Sequence, residues 1–106
     1  IETPAGVAAL DDILAVEGVD AVFIGPSDLS ANYGHIGDPG APEVVEAVQS
    51  SLDKIAASNK ASGIMALDPA VAKSYLDRGV DFVAVSIDAR TLALSLRAIA
   101  ADMRNR

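Results

Sequence analysis

Carboxylates recur in this sequence where short apolar runs stop. Glu2 stands between Ile1 and Thr3-Pro4, Asp28 follows Phe23-Ile24-Gly25-Pro26-Ser27, Asp68 follows Gly63-Ile64-Met65-Ala66-Leu67, and Asp88 follows Phe82-Val83-Ala84-Val85-Ser86-Ile87. An acid at such a place can cap the helix that comes next by accepting from its first amides. It can also hold a hard cation such as Mg²⁺ or Mn²⁺, which favours carboxylate and water oxygens and uses one or two carboxylates while substrate fills the remaining positions. Asp68 precedes Pro69 and Asp88 precedes a helical pattern, so both suit capping. Glu2 and Asp28 end successive runs, which would bring their carboxylates to one rim; for this pair metal binding and capping both stay open.

Gly25-Pro26-Ser27-Asp28 adds a second possibility. A strand halted at Gly-Pro leaves the amides of Ser27 and Asp28 without a strand partner, and such amides can receive a substrate carboxylate; a plain turn fits the same residues. Other chemistries find no support. No G-x-S-x-G elbow surrounds Ser27. The glycines match neither G-x-x-x-x-G-K-[ST] nor G-x-G-x-x-G. His35, the single imidazole, lies in a loop pattern between Gly34 and Gly37 and reads as solvated.

The elements that would position these groups alternate along the chain. Thr3-Pro4 opens a helix with an apolar stripe of Val7, Leu10, Ile13 and Leu14, stopped at Gly18. Ala21–Ile24 reads as a strand buried on both faces, and Ser27–Gly40 as irregular. Pro42 begins a helix carrying Val45, Val48, Leu52 and Ile55 and running to Asn59. Gly63–Leu67 predicts a strand, Asp68-Pro69 a helix ending at Arg78-Gly79, and Phe82–Ile87 the last strand. A final helix from about Thr91 bears Leu92, Leu96, Ile99 and Met103 on one face. With Ile1-Glu2-Thr3 as a strand tail, the order is that of βαβ units with a parallel sheet covered by helices. It fits an open doubly wound sheet or part of a (β/α)₈ barrel, and ligands in either bind at the carboxyl ends of strands.

Composition narrows the partners. The chain has 106 residues, 51% hydrophobic, with a formal net charge of −7 and no cysteine. That apolar share supports an ordered core. The acidic balance, without a Lys/Arg run, argues against nucleic acid and anionic lipid. No apolar run reaches the ~18–20 residues of a membrane span, and the N-terminus has no signal-peptide pattern. The absence of cysteine rules out disulfides and thiolate chemistry and permits a reducing cytoplasm, where the protein is expected.

Several of these segments together resemble a known family. Phe23-Ile24-Gly25-Pro26-Ser27-Asp28-Leu29-Ser30 is similar to the F-I-G-P-x-D-L-S motif of the HpcH/HpaI class II pyruvate aldolases, and Ile1-Glu2-Thr3 matches that family's I-E-T. Glu17-Gly18-Val19-Asp20, the Tyr33-Gly34…Gly37 loop, Pro42-Glu43-Val44, Gly63-Ile64 and Phe82–Val85 followed by Asp88 extend the likeness over nearly the whole chain. The resemblance implies that residues 1–106 are one segment, the C-terminal half of a (β/α)₈ barrel. It implies Glu2 and Asp28 as ligands of a divalent cation (Mg²⁺, Mn²⁺ or Co²⁺), and Gly25, Pro26, Ser27 and Asp28 as the wall of a pyruvate pocket, with Met65 lining it. The implied reaction is reversible cleavage of a 4-hydroxy-2-oxo acid to pyruvate, or a close analogue, plus an aldehyde through a metal-stabilised enolate. A homo-oligomer, often a hexamer, is implied too, with the last helix packing across a subunit boundary.

The departures bear on the same site. The family's catalytic histidine and keto-polarising arginine belong to the first half of the barrel, before Ile1, and His35 is not at the matching place, so no catalytic residue is assigned within the segment. Ser86 replaces a glycine common in the family. A related 2-oxo acid lyase or decarboxylase, and a non-catalytic α/β binding module, are the rival expectations.

Overall fold

The computed structural model describes residues 1–106. Its elements are α1 (Pro4–Ala8), α2 (Leu10–Ala15), β1 (Ala21–Ile24), α3 (Pro26–Asn32), α4 (Pro42–Ala56), β2 (Ala61–Met65), α5 (Pro69–Asp77), β3 (Phe82–Ala84) and α6 (Asp88–Arg104). The strands form one parallel sheet in the order β1-β2-β3, with Phe23 opposite Gly63 and Gly63 opposite Phe82. Ile1 adds a further edge. Its nitrogen donates to the Phe23 carbonyl at 2.6 Å, and its carbonyl accepts from the Gly25 amide at 3.0 Å. Bonding to residues on either side of one position is the parallel-ladder pattern, so the Ile1-Glu2 stretch lies beside β1 as the expected strand tail.

Chain alternation decides what the sheet buries. Val22, Ile24 and Ile64 turn toward the helices and join Leu10, Leu29, Val44, Leu52 and Ile55 in one core. Burying each such side chain fully contributes about 1.5–3 kcal/mol. Ala21 and Phe23 face the other way and are exposed, so the strand expected to be buried on both faces is covered on one only, because no helix of this chain reaches its second face. On that second face Gly63 separates Phe23 from Phe82, whose ring centroids lie 5.8 Å apart. A Cβ at Gly63 would fall 2.6 Å from the Phe23 ring, which is why a glycine suits this strand position.

Several element limits differ from expectation, for local reasons. The first helix is divided at Ala9 (φ −88°, ψ 5°), and Leu10 enters the core directly after the break. Residues 27–32, expected to be irregular, belong to α3: Pro26 occupies its first turn, and Leu29 and Ser30 are buried. Strand β2 begins at Ala61, whose amide bonds the Asp20 carbonyl, and stops at Met65 short of Leu67. Strand β3 ends at Ala84, whose carbonyl accepts from the Ala66 amide just past β2. In α4 the core side is Val44, Val48, Leu52 and Ile55, while Val45 turns outward, and the helix ends at Ala56 instead of Asn59. Helix α6 starts three residues earlier than expected, at Asp88, and buries none of its residues. No helix is long and apolar enough to cross a membrane.

Candidate metal and oxo-acid site

The site assembles where the Ile1-Glu2 stretch, β1 and β2 end. Ile1 is tied to β1 by its two backbone bonds. Thr3 starts α1 by accepting the Gly6 amide on Oγ1 at 3.0 Å. Glu2 is held between these two anchors. On the next strand, Gly25 precedes α3 and Asp28 lies in that helix's first turn. The Ser30 hydroxyl donates to the Ser27 carbonyl at 2.7 Å and fixes the turn from its buried side.

Glu2 and Asp28 line one cavity of about 200 Å³ together with Gly25, Ser27 and Met65. Glu2 reaches it across Gly25, where a Cβ would stand 3.0 Å from both Glu2 Cγ and Oε1. The glycine of the Gly-Pro pair thus makes room for the acid from the neighbouring stretch. No backbone carbonyl takes the amide hydrogens of Ser27 or Asp28, so two donors stay free next to the cavity. Pro26 lines an adjoining cavity of about 470 Å³ that shares Ser27 and Met65 with the first. All five pocket residues expected from the sequence therefore lie at one place, with Glu2 beside them.

The donor set suits a hard cation. Within these 106 residues no group of three or more His, Cys, Asp or Glu side chains comes together, and Glu2 and Asp28 are the two carboxylates that line this cavity. Mg²⁺-type sites commonly take that number and leave the other positions to water and substrate oxygens.

Several other acids make local hydrogen bonds. Asp68 Oδ1 accepts from the amides of Ala70 and Val71 at 2.8 and 3.1 Å, the capping role expected of it. Asp88 is not the cap expected of it: Ile87 holds the N-cap position without a side-chain bond, and Asp88 is the first residue of α6, its Oδ1 accepting only from the next amide, Ala89. His35 pairs with Glu43 at 3.2 Å, outside the cavity. At the opposite end of the strands, Asp81 accepts from the Ser62 amide and hydroxyl at 2.8 and 2.9 Å, and these bonds hold its carboxyl below the usual range. Burial pushes the Tyr75 phenol up beside the larger cavity.

Sequence reasoning missed three contributors. Phe23 and Ile87 line the smaller cavity; Phe23 belongs to the exposed strand face, and Ile87 lies beyond the shortened β3. Asn32 donates from Nδ2 to the carbonyls of both Glu2 and Asp28. Its place four residues after Asp28, one helical turn on, was the available signal.

Comparison with known proteins identifies the family and the fold. Residues 1–94 match the family model described as HpcH/HpaI aldolase/citrate lyase. The hydroxypyruvate/pyruvate aldolase of Roseovarius nubinhibens is 49% identical over 104 residues, which are 98% of this chain and 40% of that protein. The 4-hydroxy-2-oxo-heptane-1,7-dioate aldolase of Salmonella paratyphi B is 46% identical over 101 residues, 95% of this chain and 38% of that protein. The crystal structure of an HpcH/HpaI aldolase from Desulfitobacterium hafniense superposes with a TM-score of 0.92 at 30% identity, covering 100% of this chain and 41% of that one. The chain thus spans about two fifths of the length of the relatives it matches. By the extent of the family match and the superposition of its whole fold, it belongs to the HpcH/HpaI aldolase/citrate lyase family.

Proposed function

We propose that these residues form the C-terminal half of a (β/α)₈ barrel and supply the metal- and oxo-acid-binding part of an aldolase. The reaction is reversible cleavage of a 4-hydroxy-2-oxo acid to pyruvate, or a close analogue, plus an aldehyde. The observation that carries this reading is the meeting of Glu2 and Asp28 on one small cavity, across a glycine that leaves room for the Glu2 carboxylate. The names of the aldolase relatives support the substrate class.

In this reading Glu2 and Asp28 hold a divalent cation, Mg²⁺, Mn²⁺ or Co²⁺. The cation, when bound, supplies Lewis-acid stabilisation of negative charge on the 2-oxo acid. The chain's own residues do the rest of the positioning. The free amides of Ser27 and Asp28 receive the substrate carboxylate, Gly25 and Pro26 form the wall behind it, and Met65 closes the apolar side. Phe23 and Ile87 add apolar lining to the cavity.

The exposed stripe of Leu92, Leu96, Ile99 and Met103 on α6 supports a homo-oligomer in which this helix packs against another subunit. The lack of cysteine is compatible with the cytoplasm, where we place the protein. The activity test is release of pyruvate from a 4-hydroxy-2-oxo acid by the protein expressed from its complete reading frame. Release that needs Mn²⁺ or Mg²⁺ and stops with a chelator is the expected result; metal-independent release, or none from any such acid, contradicts the proposal.

A further inference from the structure

Glu2 and Asp28 are 26 positions apart in the chain, yet one side chain holds both of their peptide groups. Asn32 Nδ2 donates to the Glu2 carbonyl at 3.1 Å and to the Asp28 carbonyl at 3.0 Å. An amide nitrogen carries two hydrogens, so this pair of bonds uses its full donor capacity. No backbone amide reaches the Glu2 carbonyl, which leaves Asn32 as the group that fixes this peptide plane. Ile1 and Thr3 are anchored by other bonds, but between them the Glu2 peptide could still rotate and carry its side chain with it. At the other end, Asn32 grips Asp28 one turn back along α3, the helix that carries both.

The residue type matters to this arrangement. Asn32 is the exposed last residue of α3, so burial does not account for its side chain. Only a side chain with two donors on one short stem can bridge a carbonyl on its own helix and one on the neighbouring stretch. A serine has a single donor, and an aspartate has none when ionised.

We propose that Asn32 is a positioning residue that sets the spacing between the Glu2 and Asp28 carboxylates by tying together the backbone groups that bear them. The proposal rests on the reading of those two acids as cation ligands. Partners that orient ligands without touching a cation commonly matter about 10–100-fold in affinity. Asn32 acts through backbone on flexible acidic side chains, so the expected effect is at the low end of that range.

The test is calorimetric titration of Mn²⁺ into the protein expressed from its complete reading frame, well below the melting temperature of every variant. Asn32→Leu keeps the side-chain size without a donor, Asn32→Ala removes it, and Asp28→Asn and Glu2→Gln serve as references. We expect both Asn32 variants to remain folded by circular dichroism and to bind Mn²⁺ with a Kd about tenfold higher. The bound Mn²⁺ resonance should also broaden, because the coordination geometry is less uniform. A merely structural role would lower the melting temperature and leave Kd and line width unchanged. If folded Asn32→Ala and Asn32→Leu bind as the parent does while Asp28→Asn does not bind, the tether is overturned and the cation site stands. If Asp28→Asn and Glu2→Gln also bind as the parent does, the reading of the two acids fails, and the tether with it.

Discussion

Glu2 lies against Gly25 so closely that a Cβ on the glycine would stand 3.0 Å from the acid's Cγ and Oε1. Contacts this short are relieved by moving the flexible partner, and here that partner is a candidate cation ligand. Gly25 has φ −104°, which any residue can adopt, so alanine there does not strain the backbone. Gly25→Ala should therefore leave the melting temperature nearly unchanged and weaken Mn²⁺ binding by about tenfold, the low end of the scale for altering groups that orient a metal ligand. A drop in stability with metal affinity intact would show the glycine to be needed for packing alone.

Ser27 is expected to work through its amide. Ser27→Ala keeps that donor, so pyruvate binding and turnover should stay near parental. Ser27→Pro removes it and should weaken pyruvate binding by roughly 1–3 kcal/mol, the cost of leaving a charged acceptor short of a partner. Proline is tolerated in the first helical turn, and circular dichroism checks that α3 survives. Loss of activity in a folded Ser27→Ala variant would point to the hydroxyl instead.

Asp81 makes stability depend on pH in acid. The Ser62 amide and hydroxyl bind its ionised form and lower its pKa in the folded protein. A group whose folded pKa is depressed stabilises the fold above its unfolded pKa, about 3.9 for aspartate, and that stability is lost as pH falls through the folded value. Asp81→Asn should thus melt below the parent at neutral pH, and the gap should narrow as pH drops beneath about 4. A gap independent of pH would remove the carboxylate's charge from the explanation.

Much of this arrangement was legible because strand-helix alternation and capping are local. Thr3, Asp68 and the proline after each announce α1 and α5, and the apolar runs place β1 and β3 within a few residues. Helix α3 was not legible: Ser27–Gly40 is polar and glycine-rich, and the segment becomes helical partly because Leu29 and Ser30 are buried by tertiary contacts. The start of β2 at Ala61 follows from its pairing with β1, which hydropathy does not encode. The candidate site residues stood out as a motif, whereas the Asn32 bond to the Glu2 carbonyl depends on a neighbouring stretch distant in sequence. Val45 misled because it continues the apolar spacing of α4 yet faces the larger cavity.

The most direct measurement is calorimetric titration of Mn²⁺ into the protein from its complete reading frame and into its Asp28→Asn variant. Removing one of two carboxylates leaves a cation that prefers anionic oxygen held by Glu2 alone. Stoichiometric binding by the parent, and no measurable binding by a folded Asp28→Asn, is the expected result. Equal Mn²⁺ affinity in the two proteins would contradict the assignment of Glu2 and Asp28 as the metal pair.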